Sequence, residues 1–465
     1  MNPGSRPNVI VILADDLGWG DLGCYGATRV RTPNIDALAA RGTSYWDAHA
    51  ASSVCTPSRY GLLTGLHPWR SPLKAGVLGG ADPCIIADDV PTIASVLQAE
   101  GYRTGAFGKW HLGLDWQRLD GSRATAFDSG FTPDMQGDGR DIDYTVAFRN
   151  GPLEHGFERY FGIAGSLDMP PYCFLDQDHT VGVPTLEKQP LITSQRPGLT
   201  VPGWEDDQVD VAVTRAAQEW LSTRDERPFF AYVAAASPHR PCVPPAFVRG
   251  TSDAGVRGDS IHLFDWMVGE LLGALSDDVL AQTLVIVTSD NGAPMIFPED
   301  GDVVIHRPNG AWRGQKADAY EAGHRVPLVV SGPGIAMGAE SRALVSLLDL
   351  LPTVGRFAGV ASLPQVDGVA LDERTERELV GAQAFDGRLV LRSASTKVIY
   401  GSGSGGFSEP VGEPCASDSE LVQIYDLEAD PEEVFDLQGS EPSVAVSLYD
   451  EFAAATGFSV PRVQE

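Results

Sequence analysis

The chain has 465 residues, 43% of them hydrophobic and 21% charged, so it can bury a substantial core and reads as a globular protein. Its 63 acidic against 34 basic residues give a formal net charge of −29, which argues against a nucleic-acid or anionic-membrane partner because phosphate binding needs a concentrated basic surface. Six cysteines (Cys24, Cys55, Cys84, Cys173, Cys242, Cys415) lack CxxC or CxxH spacing, which argues against a zinc site and a dense disulfide framework. The opening MNPGSRPNVIVILADD has no basic stretch leading into a long apolar run and a cleavage site, and its apolar run 9–14 is too short to span a bilayer. The expected location is therefore the cytoplasm, or a secreted or periplasmic one if a leader was trimmed.

In chain order, strands are predicted at 8–14, 102–107, 228–236 and 283–289, each apolar and rich in β-branched or aromatic residues. Helices fall between them: one starts at Thr32-Pro33 and ends near Gly42, another follows Pro91 and ends at Gly101. The alternation predicts an α/β fold, a large mostly parallel sheet covered by helices on both faces. GSGSGG at 401–406 reads as a loop, and from about residue 376 the pattern turns to short alternating runs, GRLVLRS, KVIYGS and LVQIYDL, before a terminal helix at roughly 443–455. The predicted division is a catalytic α/β domain over 1–375 and a small C-terminal antiparallel subdomain over 376–465.

Each of the four strands ends at polar chemistry: Asp15-Asp16, then Lys109 and His111, then His239, then Asp290-Asn291. Ligands of open parallel sheets bind beyond the carboxyl ends of strands, so these ends predict one convergent site. Taken alone, Asp15-Asp16 and Asp290-Asn291-Gly292 would each read as a turn. Together, at the ends of two buried strands, they offer hard oxygen ligands suited to Ca²⁺, with Mg²⁺ the alternative, and too little nitrogen or sulfur for zinc.

The most specific string is Cys55-Thr56-Pro57-Ser58-Arg59-Tyr60-Gly61-Leu62-Leu63-Thr64-Gly65. It resembles the C-x-P-S-R-x-x-L-x-T-G signature of the type I sulfatases, which belong to the alkaline phosphatase superfamily, and meets every specified position. The resemblance implies a sulfuric ester hydrolase in which a formylglycine-generating enzyme converts Cys55 to Cα-formylglycine. It also implies that Cys55 joins Asp15, Asp16, Asp290 and Asn291 around the metal. The chemistry has an independent rationale: a serine or cysteine that attacked sulfur would hold a stable ester, whereas the second hydroxyl of a hydrated aldehyde can expel sulfate. Gly108-Lys109-Trp110-His111-Leu112-Gly113 matches a second family block, and Ser237-Pro238-His239 and Arg313-Gly314-Gln315-Lys316 match two more. These imply that Arg59 orients the diol, that Lys109 and His111 contact sulfate and diol, and that His239 and Lys316 serve the leaving group. The family's serine for the remaining sulfate contact has no matched position.

Substrate recognition is expected on the irregular stretch 115–205, whose SLDMPPYCFLDQD mixes carboxylates, aromatics and prolines as a carbohydrate-facing loop would. Ser166, Asp168 and, outside that stretch, Arg313 are the expected substrate-binding residues. The expected substrate is a sulfated carbohydrate. An aryl sulfate, a phosphate or phosphonate monoester, and sulfate-ester binding without turnover are the alternatives.

Overall fold

The computed structural model describes residues 6–223, 225–295, 306–371, 377–415 and 421–457. Among the described residues, twelve strands precede the C-terminal part: β1 (Asn8–Ala14), β2 (Thr43–His49), β3 (Arg103–Lys109), β4 (Arg159–Ile163), β5 (Leu175–Asp176), β6 (His179–Thr180), β7 (Leu186–Glu187), β8 (Leu199–Thr200), β9 (Phe229–Ala234), β10 (Thr283–Ser289), β11 (Arg325–Ser331) and β12 (Ala339–Ser346). Ten of them form one sheet in the order β12-β2-β11-β10-β1-β9-β3-β4-β5-β6, while β7 and β8 pair separately. The run β10-β1-β9-β3 is parallel throughout, as the four apolar strand patterns predict, and β4, which the sequence did not mark, continues it in parallel. The sheet as a whole is mixed, because β11 runs antiparallel to both β10 and β2, and β5 to both β4 and β6.

The helices are α1 (Pro33–Ala40), α2 (Cys55–Thr64), α3 (Ile93–Ala99), α4 (Val209–Ser222), α5 (Gly255–Gly273), α6 (Asp277–Leu280), α7 (Glu321–His324), α8 (Leu350–Phe357) and α9 (Pro442–Thr456). Successive strand residues point to opposite faces, so each central strand feeds two cores. Val9, Val11, Leu13, Phe230, Tyr232 and Ile286 pack with Leu62, Leu63, Leu97 and Leu351 on the face of α2, α3 and α8. Ile10, Ile12, Ala231, Val233 and Val287 pack with Leu38, Val213 and Phe264 on the face of α1, α4 and α5. Burial on both faces is why these strands read as unbroken apolar runs.

Four further strands, β13 (Val380–Gln383), β14 (Leu389–Arg392), β15 (Thr396–Ile399) and β16 (Gln423–Asp426), make an antiparallel sheet in that order. Leu391, Val398 and Ile424 pack with Phe452 of α9, while Val390, Ile399 and Tyr425 pack on Ala319 and Tyr320 next to α7. The small sheet is thereby wedged against the segment carrying Lys316. Among the described residues no helix is long and apolar enough to cross a membrane.

Candidate active site

The central strand ends are laced together by backbone bonds before any side chain is placed. The Asp15 amide donates to the Ser237 carbonyl at 3.1 Å, and the Asp290 amide donates to the Ala14 carbonyl at 3.2 Å. Asp210 accepts the amides of Ala236 and Ser237 at 2.8 and 2.9 Å, fixing the loop that presents His239. Gly292 is required by close approach, since a Cβ there would lie 1.7 Å from the Ala322 carbonyl. Asp16 and His111 hold φ of 66° and 55°, left-handed values uncommon for residues with a Cβ. Such conformations persist where the surroundings over-determine them, as at functional centres.

Cys55 opens α2, with Pro57 in the first turn, where its missing N–H costs nothing. Every residue of that helix is buried, and Gly65 ends it in a left-handed conformation. Ligating atoms of Asp15, Asp16, Cys55 and His239 all fall within 4.8 Å of one another. The Lys109 ammonium lies 2.7 Å from Asp15, and Lys316 Nζ lies 2.7 and 2.8 Å from the two Asp16 oxygens. Arg59 donates through Nε to Asp290 Oδ2 at 2.8 Å and through Nη1 to the Lys109 carbonyl at 2.9 Å. Asn291 donates to Asp16 at 2.7 Å. Three carboxylates thus face three cations in a buried pocket, the pairing that buried charge requires.

The electrostatics follow from that packing. Burial would raise the Asp16 carboxyl, but Lys316 and His239 more than offset it and hold the carboxyl well below the usual range. Asp290 is pushed up, by burial first and also by Asp15 and Asp16, against the pull of Arg59. Burial lifts the Cys55 thiol to about 11, although Lys109 and Lys316 pull the other way, so an unaltered Cys55 is a neutral thiol at neutral pH. His239 is lowered to about 4 by burial and Lys316, and His111 falls well below its ordinary value through burial, Lys109 and Arg59. The donor set suits a hard divalent cation: the buried oxygens Asp15 Oδ1 and Asn291 Oδ1 have no hydrogen-bond partner, and carboxylate and amide oxygens are what Ca²⁺ and Mg²⁺ take.

The fold therefore brings together Asp15, Asp16, Cys55, Arg59, Lys109, His111, His239, Asp290, Asn291 and Lys316. Ser166 and Asp168 stand at its edge: Ser166 donates to Asp168, whose carboxylate lies 4.0 Å from His239 Nδ1. Arg313, expected to bind substrate, does not join them. Its guanidinium lies 3.8 Å from the centre of the Tyr320 ring and donates to the Glu433 carbonyl, because Gly314, at φ 84°, turns the chain between it and Lys316. Sequence reasoning missed Asp210, Asn309 and Arg196. Asn309 clamps Ala293, next to the Asn291-Gly292 turn, through two 2.9 Å bonds. All three act through contacts far away in sequence, and no local pattern marks them.

A buried thiol at a helix start, ringed by ammonium and guanidinium groups beside an oxygen-rich cluster, is an arrangement suited to binding an anionic ester. The family model described as Sulfatase matches residues 7–360, and the chain belongs to that family. It is 33% identical to an N-acetylgalactosamine-6-O-sulfatase of Bacteroides thetaiotaomicron over 95% of this chain and 92% of that protein. It is also 33% identical to human arylsulfatase A, over 93% of this chain and 83% of that one. A solved sulfatase structure from Bacteroides thetaiotaomicron, reported with its metabolism of multiple glycosaminoglycans, superposes with a TM-score of 0.82 at 28% identity, covering 98% of this chain and all of the other. The protein is thus a sulfuric ester hydrolase.

Proposed function

We infer that the enzyme hydrolyses the sulfate monoester of a carbohydrate, with an aminosugar 6-sulfate as the substrate class, using residue 55 as nucleophile after its oxidation to formylglycine. The observation that carries this reading is the Cys55 side chain at the start of a wholly buried helix, within 4.8 Å of Asp15, Asp16 and His239. Support for the sugar comes from the N-acetylgalactosamine-6-O-sulfatase relative, similar along 95% of this chain.

A divalent cation, Ca²⁺ or Mg²⁺, held by Asp15, Asp16, Asp290, Asn291 and residue 55, would neutralise charge on the sulfate and favour the ionised nucleophile. The hydrated aldehyde would supply a second hydroxyl to release sulfate without a stable dead-end ester. The remaining work falls to side chains already in place. Arg59 and the first turn of α2 hold the nucleophile's surroundings positive. His111 Nε2 lies 2.8 Å from the Leu78 carbonyl, which can only accept, so Nε2 carries the proton and Nδ1 is left with a free lone pair. His111 is therefore set up as a base. Lys316 stays charged because Asp16, despite burial, raises its pKa, and with His239 it faces the departing alcohol.

Mass analysis of the Cys55 peptide, from protein made with a competent formylglycine-generating enzyme, tests the reading together with rates on p-nitrophenyl sulfate and p-nitrophenyl phosphate. The expected outcome is an aldehyde at position 55 and preference for the sulfate ester. An unmodified thiol in fully active enzyme, or a preference for phosphate, would refute it.

A further inference from the structure

Beside the leaving-group residues lies a charged pair that the mechanism above does not use. Asp168 Oδ2 sits 2.6 Å from Arg196 Nη1, and Oδ1 accepts from Ser166 and lies 4.0 Å from His239 Nδ1. The pair is built into the fold rather than formed by two loose side chains. The Arg196 amide donates to the Asp168 carbonyl at 2.8 Å, the Tyr172 hydroxyl donates to the Arg196 carbonyl at 2.5 Å, and Gln195 Nε2 donates to the Leu167 carbonyl at 2.8 Å. Asp168 is only 9% exposed, and Arg196 Nε is buried without a hydrogen-bond partner. An ionised carboxylate has about four acceptor sites and a guanidinium five donors, so both groups have capacity left over.

The charge balance of the pair limits what it can recognise. A lone arginine would select a second sulfate and a lone aspartate an ammonium. One acceptor and one donor side by side suit a neutral hydroxyl, which donates and accepts at once. Its place is equally informative, since His239 faces the departing alcohol, so a group next to His239 meets the atoms adjoining the sulfated carbon. An aryl ester has no hydroxyl there and a sugar does. We propose that Asp168 and Arg196 form a subsite for the sugar hydroxyl nearest the sulfated carbon, making them specificity-determining residues of the sulfatase site. This rests on the carbohydrate sulfatase reading.

The experiment compares kcat/KM for N-acetylgalactosamine 6-sulfate and its 4-deoxy analogue, with p-nitrophenyl sulfate assayed on the same preparations. Sites that hydrogen-bond a substrate hydroxyl reject the analogue lacking it strongly, so the wild type should prefer the hydroxylated sugar by at least about 100-fold. In Asp168→Asn and Arg196→Gln that preference should shrink below about 10-fold, mainly through loss on the hydroxylated sugar. Wild-type enzyme that cleaves p-nitrophenyl sulfate yet treats the two sugars alike would overturn the subsite and leave the sulfatase reading standing. So would variants that keep the full preference, in which case the pair only braces the loop. No turnover of any sulfate ester would overturn both.

Discussion

Two histidines at this centre are tied to backbone carbonyls through opposite ring nitrogens. His111 is tied through Nε2 to a carbonyl, leaving Nδ1 buried without a partner, whereas His239 is tied through Nδ1 to the Arg240 carbonyl at 2.6 Å and turns Nε2 toward Asp16 at 3.6 Å. The first arrangement suits taking a proton from residue 55 once the alcohol has gone. The second leaves Nε2 of the neutral His239 ring as a lone pair, so stabilising the alcohol as it leaves falls to Lys316, which stays charged. His111→Ala should therefore release a burst of phenol from p-nitrophenyl sulfate and then nearly stop, with sulfate retained on residue 55 by mass analysis. Lys316→Ala should lose at least about 10-fold more rate on a sugar sulfate than on p-nitrophenyl sulfate, because a phenolate leaves with little help. Equal losses for Lys316→Ala on both substrates, with no burst for His111→Ala, would show the roles to be wrongly divided.

At the scale of elements, short α7 joins the large sheet to the small one. Its Glu321 carboxylate lies 2.8 Å from Arg325 and 3.2 Å from Lys397 of β15. The Glu321 amide donates to Glu433, whose carboxylate also lies 2.8 Å from Lys397. Gly323 accepts the Gly292 amide at 2.9 Å, so this network sits directly behind the Asp290-Asn291 turn. His49 and His324, whose Nδ1 atoms are 3.0 Å apart, belong to it too. Three acids, Asp47, Glu321 and Glu433, are balanced by Arg325, Arg392 and Lys397. Removing one member strands a buried charge, so Glu433→Ala should cost about 3–5 kcal/mol in denaturant unfolding. Its exposed neighbour serves as control: Glu432→Ala should stay within about 0.5 kcal/mol. Similar losses for the two variants would mean that Glu433 is not part of the joint.

At the scale of the whole molecule, burial holds three histidines away from the active site in the neutral form. It lowers His49 and His155 to about 4 and His67 to about 3, even though nearby carboxylates pull each of them upward. The folded value lies below the unfolded one, so between about pH 6.5 and 4 the unfolded chain binds protons that the native chain does not. Stability is then fully present above pH 6.5 and is lost as the pH falls through that window, on the order of 3 kcal/mol for each such group. Urea midpoints should drop steeply from pH 7 to pH 4.5, with net proton uptake on unfolding. A flat midpoint across that range would contradict the assignment.

The order of apolar runs, their polar strand ends and the CTPSRYGLLTG string were enough to define a parallel core, one convergent site and most of its members. These features are local, since strand periodicity, turn chemistry and a helix start are set by neighbours in the chain. Tertiary structure decided what depends on distant contacts. The outer pairings came out mixed because partners are chosen across the sheet, as when β2 pairs antiparallel with β11 on one side and parallel with β12 on the other. Arg313, three residues before Lys316, turned away to Tyr320 and Glu433, and Asp168 acquired Arg196, 28 positions away, as its partner. Glu432 and Glu433 are the same residue type side by side, yet one is exposed and the other fully buried against Lys397. Composition and periodicity cannot separate such neighbours, because burial of a charge is fixed by the partner that meets it, and that partner is supplied by the fold.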